Sequence, residues 1–239
     1  MPETTGYRLA LVAYLNTYPF SEGLRLSGLD ELLDIQHVTP AECARLYKEG
    51  KVDISLCPVG ALDELPEYDV RGKYCIGADG EVGTVVLLSN VPIEQITSVR
   101  LDTHSRTSNL LLQVLAKHHW KKQWSFFFDD RKELAESCLM IGDKVFEHKK
   151  NFKYSYDLAA HWKDMTGLPM VFAVWIVRPD IPADVMTSID RAFEIGMSCV
   201  ESEDSVLEEW QKDYLVNFIS YPLDGDKLKA LRLFRSLAH

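Results

Sequence analysis

Short apolar segments alternate with longer segments of helical period along most of the chain. The apolar segments predict strands over residues 8–13, 32–38, 52–59, 84–89, 98–102, 124–128, 138–142 and 169–177. Several of these are almost uninterrupted apolar runs, which is typical of strands covered by helices on both faces. Apolar residues at helical spacing predict helices over 39–51, 107–120 and 156–167, and from 182 to the end apart from a break near 217–225. This alternation predicts an α/β fold.

Local end signals support the helix predictions. Thr39 is a suitable N-cap, Pro40 follows at the first helical position, and Glu42 completes a capping box with Thr39. Gly50 marks the end of the same helix. The helix at 156–167 likewise ends in a glycine.

No linker, repeat or low-complexity segment divides the chain. The pattern fits either one doubly wound domain or two α/β lobes that share crossover strands. We favour two lobes with crossings near 88–92 and 174–179, where a proline follows a strand. The first predicted lobe contains residues 1–90 and 178–239, and the second contains residues 91–177.

Composition narrows the class of partner. The chain has 26 Lys and Arg against 36 Asp and Glu, a net charge of −10, which argues against nucleic acid as a partner. The first residues, "MPETTGYR", are polar, and the longest apolar run, 168–177, is too short to span a bilayer. Five scattered cysteines form no metal-binding spacing. We therefore expect a cytoplasmic protein with no metal, no membrane partner and reduced thiols.

Polar residues gather where predicted strands end. Asn16 and Thr17 follow the first strand, and Ser105, Arg106, Thr107 and Ser108 lie between a strand and a helix. Hydroxyl groups and free N–H groups at a helix start favour an anion. The window 100–122 carries five Lys or Arg against one acid. A turn also explains the first cluster, and a capped helix with a basic outer face also explains the second.

Two further strand ends carry polar residues. Thr84 follows Gly80 and Gly83, where backbone can approach a ligand closely, although a glycine-bracketed turn explains the same pattern. Asp143 follows a strand and suits the cap of a short helix. The chain contains no G-x-G-x-x-G, P-loop, G-x-S-x-G or H-E-x-x-H motif.

Taken in order, these segments resemble the chorismate dehydratase family of the futalosine route to menaquinone. The segments that carry the resemblance are "YLNTYPF" (14–20), "GKVDISLCPV" (50–59), "CIGADGEVGTVVLLS" (75–89), "LDTHSRTS" (101–108), "MIGD" (140–143) and "YDLAAHWKDMTGLPMVFAVW" (156–175). The resemblance implies a type II periplasmic-binding-protein-like fold whose two lobes close on a ligand in the cleft. It also implies a cofactor-free hydro-lyase that converts chorismate, a small dianion, to 3-[(1-carboxyvinyl)oxy]benzoate and water.

The resemblance also implies roles for individual residues. Asn16 matches the family's candidate catalytic amide, Thr84 stands where many members carry Ser, and Thr107 with Ser108 matches the hydroxyl pair that receives a substrate carboxylate. Thr17, Ser105 and Arg106 are further expected binding residues because they lie in the polar clusters at the strand ends, and Arg106 occupies a looser position of the family motif.

The base is open at this point. An amide does not titrate usefully, so we expect the enolpyruvyl carboxylate of the substrate to act as base, held by Asn16. His104 and Asp143 are the competing side chains. Two other functions also remain open: a non-catalytic small-anion binding or sensing protein of the same fold, and the sister 1,4-dihydroxy-6-naphthoate synthase.

Overall fold

The computed structural model describes residues 6–103, 105–129, 135–142, 144–202 and 205–238. The strands are β1 (Arg8–Val12), β2 (Asp34–Val38), β3 (Ile54–Pro58), β4 (Asp69–Ala78), β5 (Val85–Ser89), β6 (Ser98–Arg100), β7 (Ser125–Phe127), β8 (Ser137–Ile141), β9 (Tyr154–Asp157), β10 (Met170–Val177) and β11 (Ser220–Pro222). The α-helices are α1 (Tyr18–Leu26), α2 (Pro40–Lys48), α3 (Arg106–His118), α4 (Lys144–His148), α5 (Leu158–Thr166), α6 (Ala183–Glu201), α7 (Glu209–Asp213) and α8 (Gly225–Ala238). The predicted α/β class is confirmed.

Two compact units make up the described chain. Unit 1 contains the residues up to Gly77 together with Val171–Asp224, and unit 2 contains Ala78–Met170 and the residues from Gly225 onward. Each unit is built on its own mixed sheet.

Unit 1 has a six-stranded sheet in the order β11-β4-β10-β3-β1-β2. Strand β1 pairs in parallel with both β2 and β3, and β10 pairs antiparallel with β3. The carboxyl ends of β1, β2 and β3 therefore lie along one edge of the sheet, together with the start of β10. In open α/β sheets this edge is where ligands bind.

Close helix packing holds α1 against α6 in unit 1. A Cβ atom added at Gly23 would lie 2.1 Å from the carbonyl oxygen of Ala192, and one added at Gly196 would lie 1.8 Å from that of Pro19. Only glycine allows the two backbones to approach this closely. Beside the contact, the Phe20 ring packs on Phe193 with centroids 4.4 Å apart. The helix that follows β1 is thus fixed against the longest described helix.

Unit 2 has a five-stranded sheet in the order β7-β6-β8-β5-β9. Strand β6 is parallel to β8, whereas β5 is antiparallel to both β8 and β9. The Trp162 ring of α5 meets the Phe234 ring of α8 edge-on, with centroids 5.8 Å apart, so the C-terminal helix contributes to the core of this unit.

The observed units differ from the predicted lobe boundaries. Strand β5 belongs to unit 2 because it pairs with β8 and β9, and β10 belongs to unit 1 because it pairs with β3. Helix α8 lies in unit 2 rather than with the residues that precede it. Proline positions after the strands predicted the crossings, but strand pairing determines them.

Capping residues and glycines predicted helix ends correctly, whereas the apolar pattern missed three elements. The Thr39–Glu42 capping box forms, and Gly50 and Gly167 adopt the left-handed conformation expected of helix ends. The pattern did not predict α1, β4 or β9. Strand β4 carries half-exposed polar residues along its first half, and the last two residues of β9 overlap the segment predicted as helix 156–167.

Candidate functional site

The turn after β1 in unit 1 contains Asn16. Residues Leu15–Thr17 form a single 3₁₀ turn that leads directly into α1. The side-chain Oδ1 of Asn16 is buried and has no hydrogen-bond partner among the described residues. A buried acceptor without a partner costs roughly 1–3 kcal/mol, which makes this atom a strong candidate for contact with a ligand.

Thr17 lies beside Asn16 but its hydroxyl is used within the turn. The Oγ1 atom lies 2.5 Å from the carbonyl oxygen of Val12 and 2.8 Å from that of Tyr14, and donates to these backbone oxygens. The side chain is almost fully buried. Because a hydroxyl has only one proton to donate, the arrangement supports a role for Thr17 in shaping the turn.

The second group of site residues lies along one edge of the unit 2 sheet. The parallel pairing of β6 and β8 places their carboxyl ends together, and the antiparallel β5 begins at the same edge. Thr84 precedes β5, and its carbonyl oxygen accepts a hydrogen bond of 2.8 Å from the backbone N–H of Gly142, just after β8. The topology therefore brings together the loops that contain Thr84, Asp102 and Gly142.

The first turn of α3 carries the hydroxyl cluster, Ser105, Thr107 and Ser108. Ser105 is the N-cap: its Oγ accepts from the backbone N–H of Ser108 at 3.2 Å and donates to the Ser108 hydroxyl at 2.8 Å. Thr107 and Ser108 are each 2% exposed, whereas Arg106 is exposed. Buried hydroxyl groups at a helix start can bind an anion, helped by the N–H groups and the helix dipole.

Asn109 and Lys144 hold the loop before α3 through Asp102, and the sequence analysis predicted neither role. The Asn109 amide bonds both backbone groups of Asp102, donating to its carbonyl at 2.7 Å and accepting from its N–H at 3.1 Å. The buried Asp102 carboxylate is paired with Lys144 at the start of α4. The signal in the sequence was an Asp followed seven residues later by an Asn in the next helix, which no common motif describes.

Asp157 holds the loop that leads to Thr84. One carboxylate oxygen accepts from the N–H groups of Val82 and Gly83 at 3.1 and 2.7 Å. The other oxygen accepts from the first turn of α5, from Ala159 and Ala160 at 3.0 and 3.1 Å. Burial raises the pKa of Asp157 above its ordinary value, and the four N–H donors oppose that shift.

The basic window at 100–122 does not concentrate its charge at the hydroxyl cluster. Arg100 and Arg106 lie near the start of α3, but Lys117, Lys121 and Lys122 lie at or beyond its end. A helix of 13 residues separates the two groups by about 20 Å. The local excess of positive charge predicted from the window is therefore divided between two ends of a helix.

The two predicted base candidates, His104 and Asp143, lie outside the described residues. Within the described ranges, no group of three or more His, Cys, Asp and Glu side chains is placed to hold a metal ion. In the same part of the chain, no helix combines the length and the apolar character needed to cross a bilayer.

Comparison with known proteins assigns the family. A family model described as "Menaquinone biosynthesis" matches residues 7–239, nearly the whole chain. The chain belongs to this menaquinone biosynthesis family. A curated relative, "Chorismate dehydratase" from Thermus thermophilus, is 30% identical over 199 residues, which cover 74% of this chain and 71% of the relative. The resemblance read from the sequence is thereby confirmed.

Solved structures confirm the fold of this menaquinone biosynthesis family member. Protein AF1704 from Archaeoglobus fulgidus matches with a TM-score of 0.70 at 16% identity, covering 100% of this chain and 98% of that one. A Candida albicans protein described as having the generic periplasmic binding protein fold matches with a TM-score of 0.63 at 10% identity, covering 98% and 91%. The alkanesulfonate-binding protein SsuA from Xanthomonas axonopodis pv. citri, bound to MOPS, matches with a TM-score of 0.58 at 14% identity, covering 97% and 92%. The periplasmic-binding-protein fold is thus shared at low identity.

Proposed function

We propose that this protein is a chorismate dehydratase, which converts chorismate to 3-[(1-carboxyvinyl)oxy]benzoate and water for menaquinone biosynthesis. Family membership and the Thermus thermophilus relative support the substrate. The single structural observation that carries the proposal is the buried Oδ1 of Asn16, just after β1, which has no hydrogen-bond partner among the described residues.

The chemistry of chorismate suits an amide in this position. The substrate carries two carboxylates and a hydroxyl group, and an amide side chain offers two N–H donors and one acceptor oxygen. The N–H donors of Asn16 bind the enolpyruvyl carboxylate, and its Oδ1 gains a donor from the substrate. Hydroxyl groups can also bind a carboxylate, and the resemblance assigns the hydroxyl cluster and Thr84 of unit 2 to substrate binding. Ser105 contributes as the N-cap of α3, and Arg106 contributes a positive charge on the exposed side of the same turn.

The reaction follows from this binding mode. The enolpyruvyl carboxylate removes the ring proton beside the ether oxygen, and the electron pair is stabilised by conjugation with the ring carboxylate. Expulsion of the neighbouring hydroxyl group makes the ring aromatic, and the proton and hydroxide leave together as water. The protein contributes position and electrostatic stabilisation, and alignment of this kind is worth roughly 7 kcal/mol or more in favourable cases.

An assay with the purified protein and chorismate tests the proposal. Loss of the diene absorbance and appearance of the enolpyruvyl benzoate, with no metal or nucleotide added, support the dehydratase. Saturable binding without product supports instead a small-anion binding or sensing protein. Absence of both binding and turnover with chorismate refutes the proposed substrate and favours the alternative function, 1,4-dihydroxy-6-naphthoate synthase.

Substitution of Asn16 tests its role. Asn16→Ala abolishes turnover but leaves chorismate binding measurable by calorimetry, because the second carboxylate retains its contacts. Asn217→Ala is the matched control: this amide lies on the surface of the same unit and bonds only Asp213 in the described structure. Full activity in Asn16→Ala removes Asn16 from the mechanism.

The dependence of rate on pH distinguishes the candidate bases. A carboxylate of the substrate gives no limb near neutral pH, whereas a histidine base gives one near its ordinary pKa of about 6.5. A limb in that region, lost in His104→Gln, transfers the role of base to His104.

A further inference from the structure

The backbone carbonyl of Asn16 is held from a distant part of the chain. The hydroxyl of Tyr221, in β11, donates to this oxygen at 2.9 Å across 205 residues of sequence. Both residues belong to unit 1. The residue three positions after Asn16 is Pro19, which has no N–H group and so cannot donate the 3₁₀ hydrogen bond to this carbonyl. Tyr221 supplies a donor at a point where the local sequence removes one.

The surroundings of Tyr221 give its hydroxyl a specific function. The side chain is 6% exposed, and its ring meets the Phe20 ring edge-on with centroids 5.5 Å apart. Tyr221 also borders a cavity of about 180 Å³ that is lined by Pro19 and Leu215 as well. The hydrogen bond and the contact with Phe20 together define where the hydroxyl lies.

Two hydrogen-bond systems therefore hold the turn on either side of Asn16. The Thr17 hydroxyl bonds the carbonyl oxygens of Val12 and Tyr14, and the Tyr221 hydroxyl bonds the carbonyl of Asn16 itself. The direction of a side chain depends on the orientation of its own peptide groups. The buried Oδ1 of the Asn16 side chain has no hydrogen-bond partner in the part of the chain that the structure describes. A displacement of about 1 Å at a reacting group is enough to cost 10²-fold in rate.

We propose that Tyr221 is a positioning residue for Asn16: its hydroxyl fixes the Asn16 peptide so that the side-chain amide is directed at the substrate. The identity of the reaction rests on the proposed function, but the effect on the Asn16 amide does not. The role is distinct from binding, since Tyr221 acts through Asn16 and not through contact with the substrate.

Tyr221→Phe tests the proposal, because it removes the hydroxyl and keeps the ring. We expect kcat for chorismate to fall about tenfold or more while KM changes by less than about twofold. We also expect the side-chain amide resonances of Asn16, assigned by their loss in Asn16→Ala, to shift in the ¹H–¹⁵N spectrum. Tyr221 replaced by 4-aminophenylalanine, which keeps a donor at the same ring position, restores at least half of the lost activity.

Tyr47→Phe is the matched control. Tyr47 is a fully buried tyrosine of the same unit whose hydroxyl donates to a backbone carbonyl, that of Glu67 at 3.2 Å. We expect it to lower thermal stability by a similar amount and to leave kcat unchanged. If Tyr221→Phe and Tyr47→Phe have the same effect on kcat, Tyr221 is only a structural residue and the proposal is wrong.

The two proposals fail in different ways. If the wild-type protein does not turn over chorismate, the proposed function fails, and the Asn16 amide resonances alone decide the role of Tyr221. Resonances that stay in place in Tyr221→Phe overturn the positioning role whatever the reaction is. If Tyr221→Phe does not fold, the variant with 4-aminophenylalanine decides: wild-type kcat and Asn16 resonances support the role of the donor, and their loss overturns it.

Discussion

Replacement of Gly196 by Ala tests the close contact between α1 and α6. The new Cβ atom would lie 1.8 Å from the carbonyl oxygen of Pro19, and real Cβ atoms essentially never come within 3.0 Å of a heavy atom of a residue that is not adjacent in the chain. Both groups are fixed to helix backbones, so no rotamer change relieves the clash. The helices must therefore separate locally by more than about 1 Å, which is roughly the difference between the 3.0 Å limit and the 1.8 Å distance.

The expected cost follows from this separation. Overpacking costs typically about 1–3 kcal/mol and occasionally more. A clash between two helix backbones that also loosens the contact between Phe20 and Phe193 belongs to the larger cases, at roughly 3–5 kcal/mol. Alanine recovers about 1 kcal/mol through its higher helix propensity. We therefore expect Gly196→Ala to lower the free energy of unfolding by about 2–4 kcal/mol, with a fall in Tm of about 2–4 °C for each kcal/mol.

Urea unfolding and thermal unfolding measure this effect, and Gly225→Ala is the matched control. A Cβ atom at Gly225, in the first turn of α8, meets nothing within 4 Å, so this variant should be as stable as the wild type or slightly more stable. Gly23→Ala, whose Cβ would lie 2.1 Å from the Ala192 carbonyl, should resemble Gly196→Ala. A Gly196→Ala protein within about 1 kcal/mol of the wild type would refute the reasoning. Because α1 begins two residues after Asn16, we also expect a lower kcat.

Two other carboxylates give further predictions. Asp157→Asn keeps one acceptor oxygen but places an NH₂ group against N–H donors. We expect urea unfolding to show a loss of about 2–3 kcal/mol in the free energy of unfolding, and kcat/KM to fall because the loop before Thr84 is no longer held. Unchanged stability would contradict the role of this carboxylate. Burial acts to raise the pKa of Asp53, but the hydrogen bonds and charge of Arg8 outweigh it and hold the pKa below its ordinary value of 3.8. Below that value the unfolded state binds more protons, so the stability contributed by the pair is present above pH ~4 and is lost as the pH falls through the lowered folded-state pKa. Unfolding measured at several pH values should show a shallower acid limb for Asp53→Asn than for the wild type, and equal limbs would show that the pair does not contribute.

Local sequence signals determined much of the architecture. Apolar runs located β1, β3, β5, β8 and β10 to within about two residues, because strands covered on both faces carry continuous hydrophobic sequence. The capping box at Thr39 and the glycine ends at Gly50 and Gly167 are decided by contacts within a few residues, and they formed as expected. The placement of polar residues after strands also located the turn with Asn16 and the hydroxyl cluster of α3.

Tertiary structure decided which elements belong together and which distant residues hold the candidate site residues. Strand pairing assigned β5 to unit 2 and β10 to unit 1. The choice of partner strand leaves no periodic pattern in the local sequence. The bond from Tyr221 to Asn16 and the bonds from Asp157 to Val82 and Gly83 join residues separated by 205, 75 and 74 positions. Sequence reasoning predicted the chemistry of the site from the kinds of side chain at strand ends. The hydrogen bonds that orient those side chains are long-range, so only the folded chain specifies them.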